Sequence, residues 1–475
     1  MRNYLDFYID GAWVAPAQPL QLDVIDPATE KVAGRISLGG AEDVDRAVAA
    51  ARRAFDSFGR SSKAERLDLL DAVMAAYQAR EKDLADAVRE EMGAPTSLAI
   101  GAHVPIGMAH FATARQLLAD FDPDVAMGST KLTKEPIGVV AMITPWNWPL
   151  NQIACKVAPA LAVGCTMILK PSEVAPFTGQ IFAEVMHAAG VPAGVFNMVQ
   201  GDGPILGVAL SSHPDVDMVS FTGSTRAGVS VARNAAATVK RVHQELGGKS
   251  ANIILEDADL PAAVAAGVEA MMVNSGQSCN APSRMLVPAG RMAEASAIAR
   301  ETIARQKVGS PTEDVNLGPV VSDVQWARIQ KLIGIGIEEG ATLVAGGPGR
   351  PDGLDTGYYV RPTVFADATN QMTVAREEIF GPVLVIIGYD DEEEAITIAN
   401  DTPYGLAGYV QSGDVEHGRK VASRIRAGQV AINYAPLDLS APFGGFKQSG
   451  NGREWGEHAF HEFLEVKAIL GYAQA

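Results

Sequence analysis

Apolar residues near the N-terminus recur at the three- and four-residue spacing that is typical of helices. Within residues 42–58 they share one face, which predicts an amphipathic helix. The pattern continues through 63–92 and stops at Gly93 and Pro95. Glycine favours a left-handed helix cap and proline cannot continue a helix, so these two residues predict where the helical region ends.

The pattern changes between residues 137 and 224. Short β-rich runs alternate there with alanine-rich helical stretches, and the runs read IGVVAMITP, TMILKPS, GVFNMVQG and DMVSFTGS. Near-continuous apolar strands separated by helices predict a parallel sheet that is covered on both faces. Each strand leads into a polar turn, and ligands of such sheets bind at the carboxyl ends of the strands. We expect the four turns to line one rim.

A second strand–helix set follows the segment ELGGK and includes SANIILED, EIFGPVLVIIGY and GQVAINY. The two glycines favour a hinge, so we predict a boundary between two α/β domains near 246–250. Two strand-like segments, 129–138 and 462–472, have no partner nearby in the sequence. Isolated strands of this kind pair with each other or with another subunit.

Length, composition and charge narrow the class of protein. A chain of 475 residues is too long for one compact core. The net charge of −17 disfavours nucleic acid and anionic membranes as partners. The cysteines Cys155, Cys165 and Cys279 form no CxxC pair, the N-terminus has no signal pattern, and the longest apolar run is too short to span a bilayer. We therefore expect a cytoplasmic protein.

Three residues carry candidate catalytic chemistry. Cys279 stands in the small, polar segment GQSCNAP, which is a poor place for a thiol that only fills a core. Asn147 lies between two tryptophans that stiffen its loop, so its amide can serve an oxyanion site, although asparagine is also a common turn residue. Glu245 next to apolar Leu246 can have a raised proton affinity and act as a base, or can be structural.

Other motifs suggest a nucleotide. In FTGSTRAG a strand ends at Gly223 and Ser224 before a helix, which favours phosphate, although many βα turns look alike. In LKPSE, Lys170 and Glu173 can both reach a ribose, or can form a solvated turn. A carboxylate there repels a 2′-phosphate, which favours NAD over NADP. GDGPILG is interpreted as a structural turn, because its proline removes a donor.

The remaining motifs lie in the C-terminal half. REEIFGPV carries Glu378 and Phe380 before a Gly-Pro turn, and the long glycine-rich loop APFGGFKQSGNGRE is typical of functional loops. The histidines of EHAFHE, His458 and His461, match no metal-binding motif, so we expect no metal.

Taken in order, FTGST, ELGGK, GQSC, EEIFGPV and PFGGFKQSG resemble the NAD(P)-dependent aldehyde dehydrogenase superfamily, in its non-acylating, hydrolytic branch. The resemblance covers essentially the whole chain. It implies an α/β fold with a Rossmann-like parallel-sheet cofactor domain (1–117 and 138–247) and a second α/β catalytic domain (248–448). It also implies a small β oligomerisation arm with the C-terminal tail (118–137 and 449–475), which builds a homodimer or homotetramer.

The resemblance also implies site residues. Cys279 would be the nucleophile, Asn147 the oxyanion donor and Glu245 the general base. Glu454 resembles a supporting carboxylate that is sometimes given a proton-relay role, and Lys156 is a weaker match of the same kind. The implied cofactor contacts are Thr144, Trp146, Lys170, Ser172, Glu173, Phe221, Gly223, Ser224, Leu246, Glu378 and Phe380. The implied substrate tunnel contains Trp148, Cys155, Val273 and Leu437.

The implied reaction is the oxidation of an aldehyde to its acid. A thiolate is both a good nucleophile and a good leaving group, so Cys279 can form a thiohemiacetal, then a thioester after hydride moves to NAD. Relatives that transfer the acyl group to coenzyme A typically lack a glutamate at the position of Glu245, so its presence favours hydrolysis. The competing hypotheses are a cysteine-dependent esterase or thioesterase without redox chemistry and a non-catalytic binding protein.

The substrate is a separate question. Cys155 and Val273 stand where several relatives have aromatic residues, which predicts a roomier, less aromatic tunnel and a medium-chain, long-chain or bulky apolar aldehyde. Neighbours such as Trp148 or Leu437 can also refill that space. A semialdehyde-specific dehydrogenase of the same fold is the alternative, although no arginine motif diagnostic of a carboxylated semialdehyde is present.

Overall fold

A computed structural model describes residues 1–473. The strands are β1 (Arg2–Tyr4), β2 (Phe7–Ile9), β3 (Ala12–Val14), β4 (Gln21–Asp26), β5 (Lys31–Ser37), β6 (Asp124–Met127), β7 (Thr130–Pro136), β8 (Val139–Ile143), β9 (Thr166–Lys170), β10 (Phe196–Met198), β11 (Met218–Thr222), β12 (Arg241–Glu245), β13 (Ala251–Ile254), β14 (Arg284–Pro288), β15 (Thr342–Ala345), β16 (Thr363–Ala366), β17 (Val383–Tyr389), β18 (Ala407–Gln411), β19 (Gln429–Ile432), β20 (Gly450–Asn451) and β21 (Leu464–Ile469). The α-helices are α1 (Ala41–Phe58), α2 (Lys63–Gln78), α3 (Glu81–Met92), α4 (Thr96–Leu98), α5 (Val104–Asp120), α6 (Pro149–Val163), α7 (Phe177–Ala188), α8 (Val208–Ser212), α9 (Thr225–Ala235), α10 (Leu260–Met272), α11 (Met292–Ala304), α12 (Asp323–Glu338), α13 (Thr373–Arg376), α14 (Glu392–Asn400), α15 (Val415–Ala422) and α16 (Gly456–Glu462).

The first α/β unit is an eight-stranded sheet in the order β20-β12-β11-β8-β9-β10-β2-β3. Its central strands β12, β11, β8, β9 and β10 are parallel. Alternate residues of β8 join two different hydrophobic clusters, with Val140 and Met142 in one and Val139 and Ala141 in the other. The predicted parallel sheet covered on both faces is therefore confirmed, and the turns after β8, β9, β10 and β11 leave the same edge.

The second unit is a seven-stranded sheet in the order β15-β16-β17-β14-β13-β18-β19, in which only the edge strand β15 is antiparallel. Strand β12 of the first sheet ends at Glu245, and β13 of the second begins at Ala251. The chain therefore passes from one sheet to the other through the Leu-Gly-Gly-Lys-Ser segment. The α/β class predicted from the alternation of strands and helices is confirmed.

The two isolated strand-like segments pair with each other. Strand β21 is antiparallel to β7 from Leu464 opposite Pro136 to Ile469 opposite Lys131, and β6 completes this three-stranded sheet. The segment before β21 lies against the first α/β unit. Strand β20 joins the edge of the eight-stranded sheet and α16 contacts α5 and α6, because the glycine-rich loop folds back onto β12. The N-terminal β1, β5 and β4 form a further sheet that the sequence pattern did not predict.

The early helices agree with the sequence pattern except at one break. The predicted segment 63–92 forms two helices, α2 and α3, separated at Ala79 and Arg80. Helix α3 ends at Gly93 with φ +76°, the left-handed cap that a glycine favours. No helix among the described residues is long and apolar enough to cross a membrane.

Candidate active site

A cavity of about 240 Å³ is lined by residues from both α/β units. Its lining residues are Pro145, Trp146, Asn147, Gln152, Thr222, Gly223, Ser224, Leu246, Gly247, Cys279, Gln325, Arg328, Glu378 and Phe380. Eight of the residues singled out from the sequence are in this set: Trp146, Asn147, Gly223, Ser224, Leu246, Cys279, Glu378 and Phe380. The structure therefore brings the cysteine, the loop asparagine and part of the predicted nucleotide site to one cleft.

The loop that carries Cys279 follows a sharp turn at the end of α10. Asn274 (φ +55°), Ser275 (φ +54°) and Gly276 (φ +71°) are all left-handed, which is unfavourable for the two non-glycine residues. A Cβ atom on Gly276 would lie 2.1 Å from the carbonyl oxygen of Gly381. Such backbone strain persists where the surroundings hold it, and here the turn leaves Cys279 half-buried at the cavity.

Hydrogen bonds lock the asparagine loop to the cysteine loop. The Asn147 Nδ2 amide donates to the carbonyl of Gln277 at 3.1 Å, and Asn274 Nδ2 donates to the carbonyl of Asn147 at 2.8 Å. Trp148 Nε1 donates to Ser278 Oγ at 2.8 Å. An asparagine amide has two N–H donors, so fixing one fixes the direction of the other. The loop is held from both sides, as the flanking tryptophans predict.

Glu245 is buried at the end of β12, and neither of its carboxylate oxygens has a hydrogen-bond partner among the described residues. The nearest basic atom, His243 Nε2, lies 3.7 Å from Oε1. Burial, followed by the negative charge of Glu454, raises the pKa of Glu245 well above its usual range, and Lys156 opposes this shift. A carboxylate in this setting has a high proton affinity and can act as a base.

Glu454 and Lys156 form a buried ion pair beside Glu245. Lys156 Nζ also donates to Thr222 Oγ1 at 2.7 Å, and Cys155 Sγ donates to Glu454 Oε2 at 3.3 Å. Burial would raise the pKa of Glu454, but the charge of Lys156 prevails and holds that pKa below its usual value. Lys156, which matches the family pattern more weakly than Glu454 does, is therefore the direct partner of Glu454.

The surroundings of Cys279 favour the thiol over the thiolate. Burial raises the pKa of Cys279, and the carboxylates Glu378 and Glu245 raise it further. A thiolate is the reactive form of cysteine. A reaction at Cys279 therefore requires a group that removes its proton.

The cleft also holds a second carboxylate. Glu378 Oε1 accepts a hydrogen bond from the backbone N–H of Gly248 at 2.9 Å, and burial raises the pKa of Glu378 to about 7. A Cβ on Gly247 would lie 2.5 Å from Glu378 Oε2, so the glycine permits the close approach of this carboxylate. Phe380 is left-handed (φ +60°) and packs edge-to-face on Trp146 with ring centroids 5.4 Å apart.

Five predicted cofactor contacts lie outside the cavity lining: Thr144, Lys170, Ser172, Glu173 and Phe221. Lys170 Nζ donates to Glu173 Oε2 at 2.7 Å, so this pair lies together at the end of β9. The hydroxyl of Ser172 accepts from the Val174 N–H at 3.2 Å and stabilises the turn. Phe221 belongs to a hydrophobic cluster that also contains the cleft residue Leu246, and its contact with the cofactor stays a prediction. Ser224 lines the cleft and caps α9 by accepting from Ala227 N–H at 3.3 Å.

Cys155 lies in a small hydrophobic cluster. It packs there with Leu406, Phe443 and Trp455, and Cys279 contacts the same cluster. The rings of Phe443 and Trp455 stack with centroids 4.4 Å apart, so aromatic side chains border Cys155, and the less aromatic tunnel stays a prediction. The glycine-rich loop, distant in the sequence, supplies the aromatic rings.

The other predicted tunnel residues are spread more widely. Val273 and Leu437 are 44% and 58% exposed, so they lie at the surface. Trp148 stacks on the buried ring of His103 with centroids 4.0 Å apart. The exposure of Val273 and Leu437 does not establish a contact with Cys279. Their assignment to a substrate tunnel therefore remains a prediction.

The sequence analysis missed several cleft residues. Gln152 lies on α6, one turn after Asn147, and Gln325 and Arg328 lie on α12. Gln325 Nε2 donates to the carbonyl of Phe380 at 2.8 Å, and Arg328 donates to that of Glu378 at 2.8 Å. Helix α12 carries no motif, so only tertiary packing identifies these residues. Among residues 1–473, no group of three or more His, Cys, Asp or Glu side chains is arranged to hold a metal ion.

Comparisons with known proteins identify the family. The model of the aldehyde dehydrogenase family matches residues 13–469. A 3-succinoylsemialdehyde-pyridine dehydrogenase from Pseudomonas sp is 57% identical, over 99% of both chains. A structure of aldehyde dehydrogenase C from Pseudomonas syringae, a cysteine-to-alanine mutant complexed with NAD+ and octanal, is 53% identical with a TM-score of 0.98, covering 99% of this chain and 97% of that one. An aldehyde dehydrogenase of Mycobacterium tuberculosis complexed with NAD+ is 42% identical with a TM-score of 0.95, covering 98% of each chain.

The fold and the cleft place the protein among the α/β oxidoreductases that contain a cysteine at the junction of two parallel sheets. Within that class, the chain belongs to the aldehyde dehydrogenase family. It is an enzyme that acts on the aldehyde group of its substrates.

Proposed function

We propose that this enzyme oxidises an aldehyde to the carboxylic acid with NAD as the hydride acceptor and releases the product by hydrolysis. The observation that carries the proposal is the half-buried Cys279 at the cleft, with Asn147 on the same lining and the unpaired carboxylate of Glu245 buried nearby. Two structural neighbours that share the fold at high TM-score are complexed with NAD+.

The residues of the cleft fit NAD. Glu378 is held by the Gly248 N–H and offers its carboxylate to a ribose, while Ser224 stands at the start of α9, where N–H groups favour a phosphate. At the end of β9, the carboxylate of Glu173 beside Lys170 suits the hydroxyls of the adenosine ribose and repels a 2′-phosphate. When bound, NAD supplies the acceptor for the hydride.

The first step is the addition of Cys279 to the carbonyl carbon. Burial raises the pKa of the Cys279 thiol, so the sulfur adds as its proton leaves through water in the cleft, and Glu245 is not needed until the hydrolysis step. The second N–H of the Asn147 amide and the backbone N–H of Cys279 stabilise the oxyanion. One such donor lowers the activation free energy by about 3–4 kcal/mol.

The second half of the reaction is hydrolysis of the acyl group from Cys279. Loss of hydride from the thiohemiacetal carbon leaves a thioester on Cys279. The Glu245 carboxylate removes a proton from a water that attacks the thioester carbon, the C–S bond breaks with Cys279 leaving as the thiolate, and the proton then passes from Glu245 to solvent. Burial maintains the proton affinity that the base requires, while Glu454 raises the pKa of Glu245 and Lys156 lowers it.

We propose a medium-chain, long-chain or bulky apolar aldehyde as the substrate. The relative from Pseudomonas syringae is complexed with octanal. Near Cys279 this chain presents an apolar cluster that includes Phe443 and Trp455, which suits an apolar chain. A second candidate is a bulky semialdehyde, because the relative at 57% identity is named a 3-succinoylsemialdehyde-pyridine dehydrogenase.

The test is an aldehyde panel followed by NADH absorbance, with NAD and NADP each as cofactor. We expect kcat/KM to rise from acetaldehyde to octanal and to be higher with NAD. A steady fall with chain length would contradict the apolar-chain substrate, and a preference for 3-succinoylsemialdehyde-pyridine over octanal would favour the second candidate. Absence of NADH formation with any aldehyde, together with ester hydrolysis that needs no NAD, would favour the esterase hypothesis.

We further propose a cytoplasmic homodimer or homotetramer. Strand β21 is at the edge of its sheet. Its residue Val466 is 66% exposed, and Leu470, which follows the strand, is 80% exposed. A second subunit can cover this apolar edge. All three cysteines are free, as expected in a reducing compartment. Light scattering coupled to size-exclusion chromatography measures the mass, and a monomer of 50.0 kDa would contradict the oligomer.

A further inference from the structure

His243 lies two residues before Glu245 on β12 and takes no part in the reaction steps proposed above. Alternate residues of a strand point to the same face of a sheet, so the two side chains lie side by side. His243 Nε2 is 3.7 Å from Glu245 Oε1, and each side chain is only 2% exposed. The fold therefore buries an imidazole against the proposed base.

The facing atoms of this pair have no other partner. His243 Nε2 and both carboxylate oxygens of Glu245 are buried without a hydrogen bond to any described residue, although buried polar atoms are nearly always hydrogen-bonded. A separation of 3.7 Å is longer than a hydrogen bond, but catalytic hydrogen bonds are often long before substrate binds and tighten in the reacting complex. Rotation of the Glu245 side chain can close the gap, because none of the described residues holds its carboxylate elsewhere.

Ser220 contacts the imidazole from the neighbouring strand. Strands β11 and β12 are parallel, with Ser220 opposite His243 and Thr222 opposite Glu245. Ser220 Oγ lies 3.5 Å from His243 Nδ1. A neutral imidazole has one nitrogen that donates and one that accepts, whereas a carboxylate only accepts. The tautomer that satisfies both contacts accepts from the Ser220 hydroxyl at Nδ1 and has its proton on Nε2, facing Glu245.

The charged groups around this pair are engaged elsewhere. Six other titratable side chains interact with Glu245 or His243 through space: Cys155, Lys156, Cys279, Arg453, Glu454 and Glu462. Lys156 and Glu454 pair with each other. The Arg453 guanidinium donates to two backbone carbonyls, and Glu462 accepts the Arg453 N–H at 2.9 Å. Burial lowers the pKa of His243 to about 4, which favours the neutral ring that the contact with Glu245 requires.

We propose that His243 is a positioning residue for Glu245: its Nε2–H donates to Glu245 Oε1 during hydrolysis and leaves Oε2 free to take the proton from water. This inference rests on the proposed role of Glu245 as the hydrolytic base. A donor to the ionised carboxylate favours that form, so the contact keeps the base available at lower pH than burial alone would allow. Thiol addition and hydride transfer do not use Glu245, so His243 acts only on the second half of the reaction.

His243→Leu tests the contact through the two phases of NADH formation, measured across pH with the best aldehyde of the panel. The first burst should keep its size and rate. The acid limb of the steady-state profile, where the rate falls as the base is protonated, should move up by about one pH unit, which is about a tenfold loss of rate on that limb. At alkaline pH the rate should recover toward the wild type, which a distorted site would not do.

Two variants control for the loss of the ring. His243→Gln retains an amide donor that can reach the same oxygen and should keep the wild-type acid limb. His458→Leu is the matched control, because His458 is exposed on α16, and it should match the wild type in both phases. An acid limb that moves as far in His243→Gln as in His243→Leu would contradict the hydrogen bond.

An unmoved acid limb in folded His243→Leu, or equal losses in the burst and the steady state, would overturn the proposal. If His243→Leu does not fold, Ser220→Ala decides, because it removes the hydroxyl that selects the tautomer; its limb should move in the same direction by less, and an unmoved limb contradicts the role of His243. Glu245→Gln separates the two proposals. Full turnover by that variant would remove the base itself, whereas lost turnover there with an unmoved limb in His243→Leu would remove only His243.

Discussion

Replacement of Lys156 by methionine tests the buried ion pair that stands behind Glu245. Lys156 is fully buried on α6, and its Nζ contacts Glu454 and donates to Thr222 Oγ1. Methionine has a similar volume and no charge, so the change removes the cation without opening a large cavity. It leaves the Glu454 carboxylate buried with only the Cys155 thiol as a donor.

The magnitude follows from the burial of both partners. Breaking a buried ion pair by removing one partner is destabilising by about 3–5 kcal/mol, because the remaining charge is uncompensated. The lost bond to Thr222 leaves an unpaired hydroxyl and adds about 1 kcal/mol. Replacing both partners, as in Lys156→Met with Glu454→Gln, should restore most of the lost stability, since no charge then remains unpaired.

The assay is urea unfolding followed by tryptophan fluorescence at one fixed protein concentration. We expect the midpoint of Lys156→Met to fall well below those of the wild type and the double variant. The matched control Lys82→Met removes an exposed lysine and should stay within about 0.5 kcal/mol of the wild type. A midpoint of Lys156→Met equal to that of the control would refute the reasoning.

Three further predictions concern Glu245, Glu173 and the turn at Gly276. Glu245→Gln should keep the first burst of NADH but lose about 10²–10⁴ in steady-state rate, because hydrolysis of the thioester then lacks its base. Full steady-state turnover by this variant would remove Glu245 from the mechanism. The wild-type rate should also fall at acid pH, because the raised pKa of Glu245 leaves the base protonated there. Glu173→Gln should raise kcat/KM with NADP relative to NAD by about tenfold, since the repulsion of the 2′-phosphate is gone, and an unchanged ratio would show that Glu173 does not select the cofactor. Gly276→Ala should lower the free energy of unfolding by more than about 1 kcal/mol, because the φ of Gly276 is +71° and the new Cβ would meet the Gly381 carbonyl. In the control Gly290→Ala no atom lies within 4 Å of the new Cβ, so the free energy of unfolding should not change in the same assay.

Much of the fold could be predicted because it depends on local patterns. The apolar runs that became β8, β9 and β11 are buried at every position, and the polar turns after them mark the carboxyl edge of the sheet. Gly93 ends α3 in the left-handed conformation for which glycine is suited. The break at Ala79 and Arg80 was missed, because two good helix formers carry no signal for a helix end.

The candidate site was predictable where a motif carries its own chemistry. Cys279, Asn147 and Glu378 each stand in a short segment whose neighbours already indicate a role, and all three line the cleft. Gln325 and Arg328 could not be predicted, because α12 carries no motif and only tertiary packing brings it to the cleft.

The amino-acid sequence by itself determined the α/β class, the parallel strands and the residues able to do chemistry, since these follow from the identity and spacing of neighbouring residues. Only the tertiary structure decided which distant side chains meet. Lys156 reaches Glu454 across 298 residues, and Phe443 and Trp455 pack against Cys155 from the far end of the chain. Such contacts depend on how two sheets and a returning loop fold against each other, and no local pattern encodes that geometry.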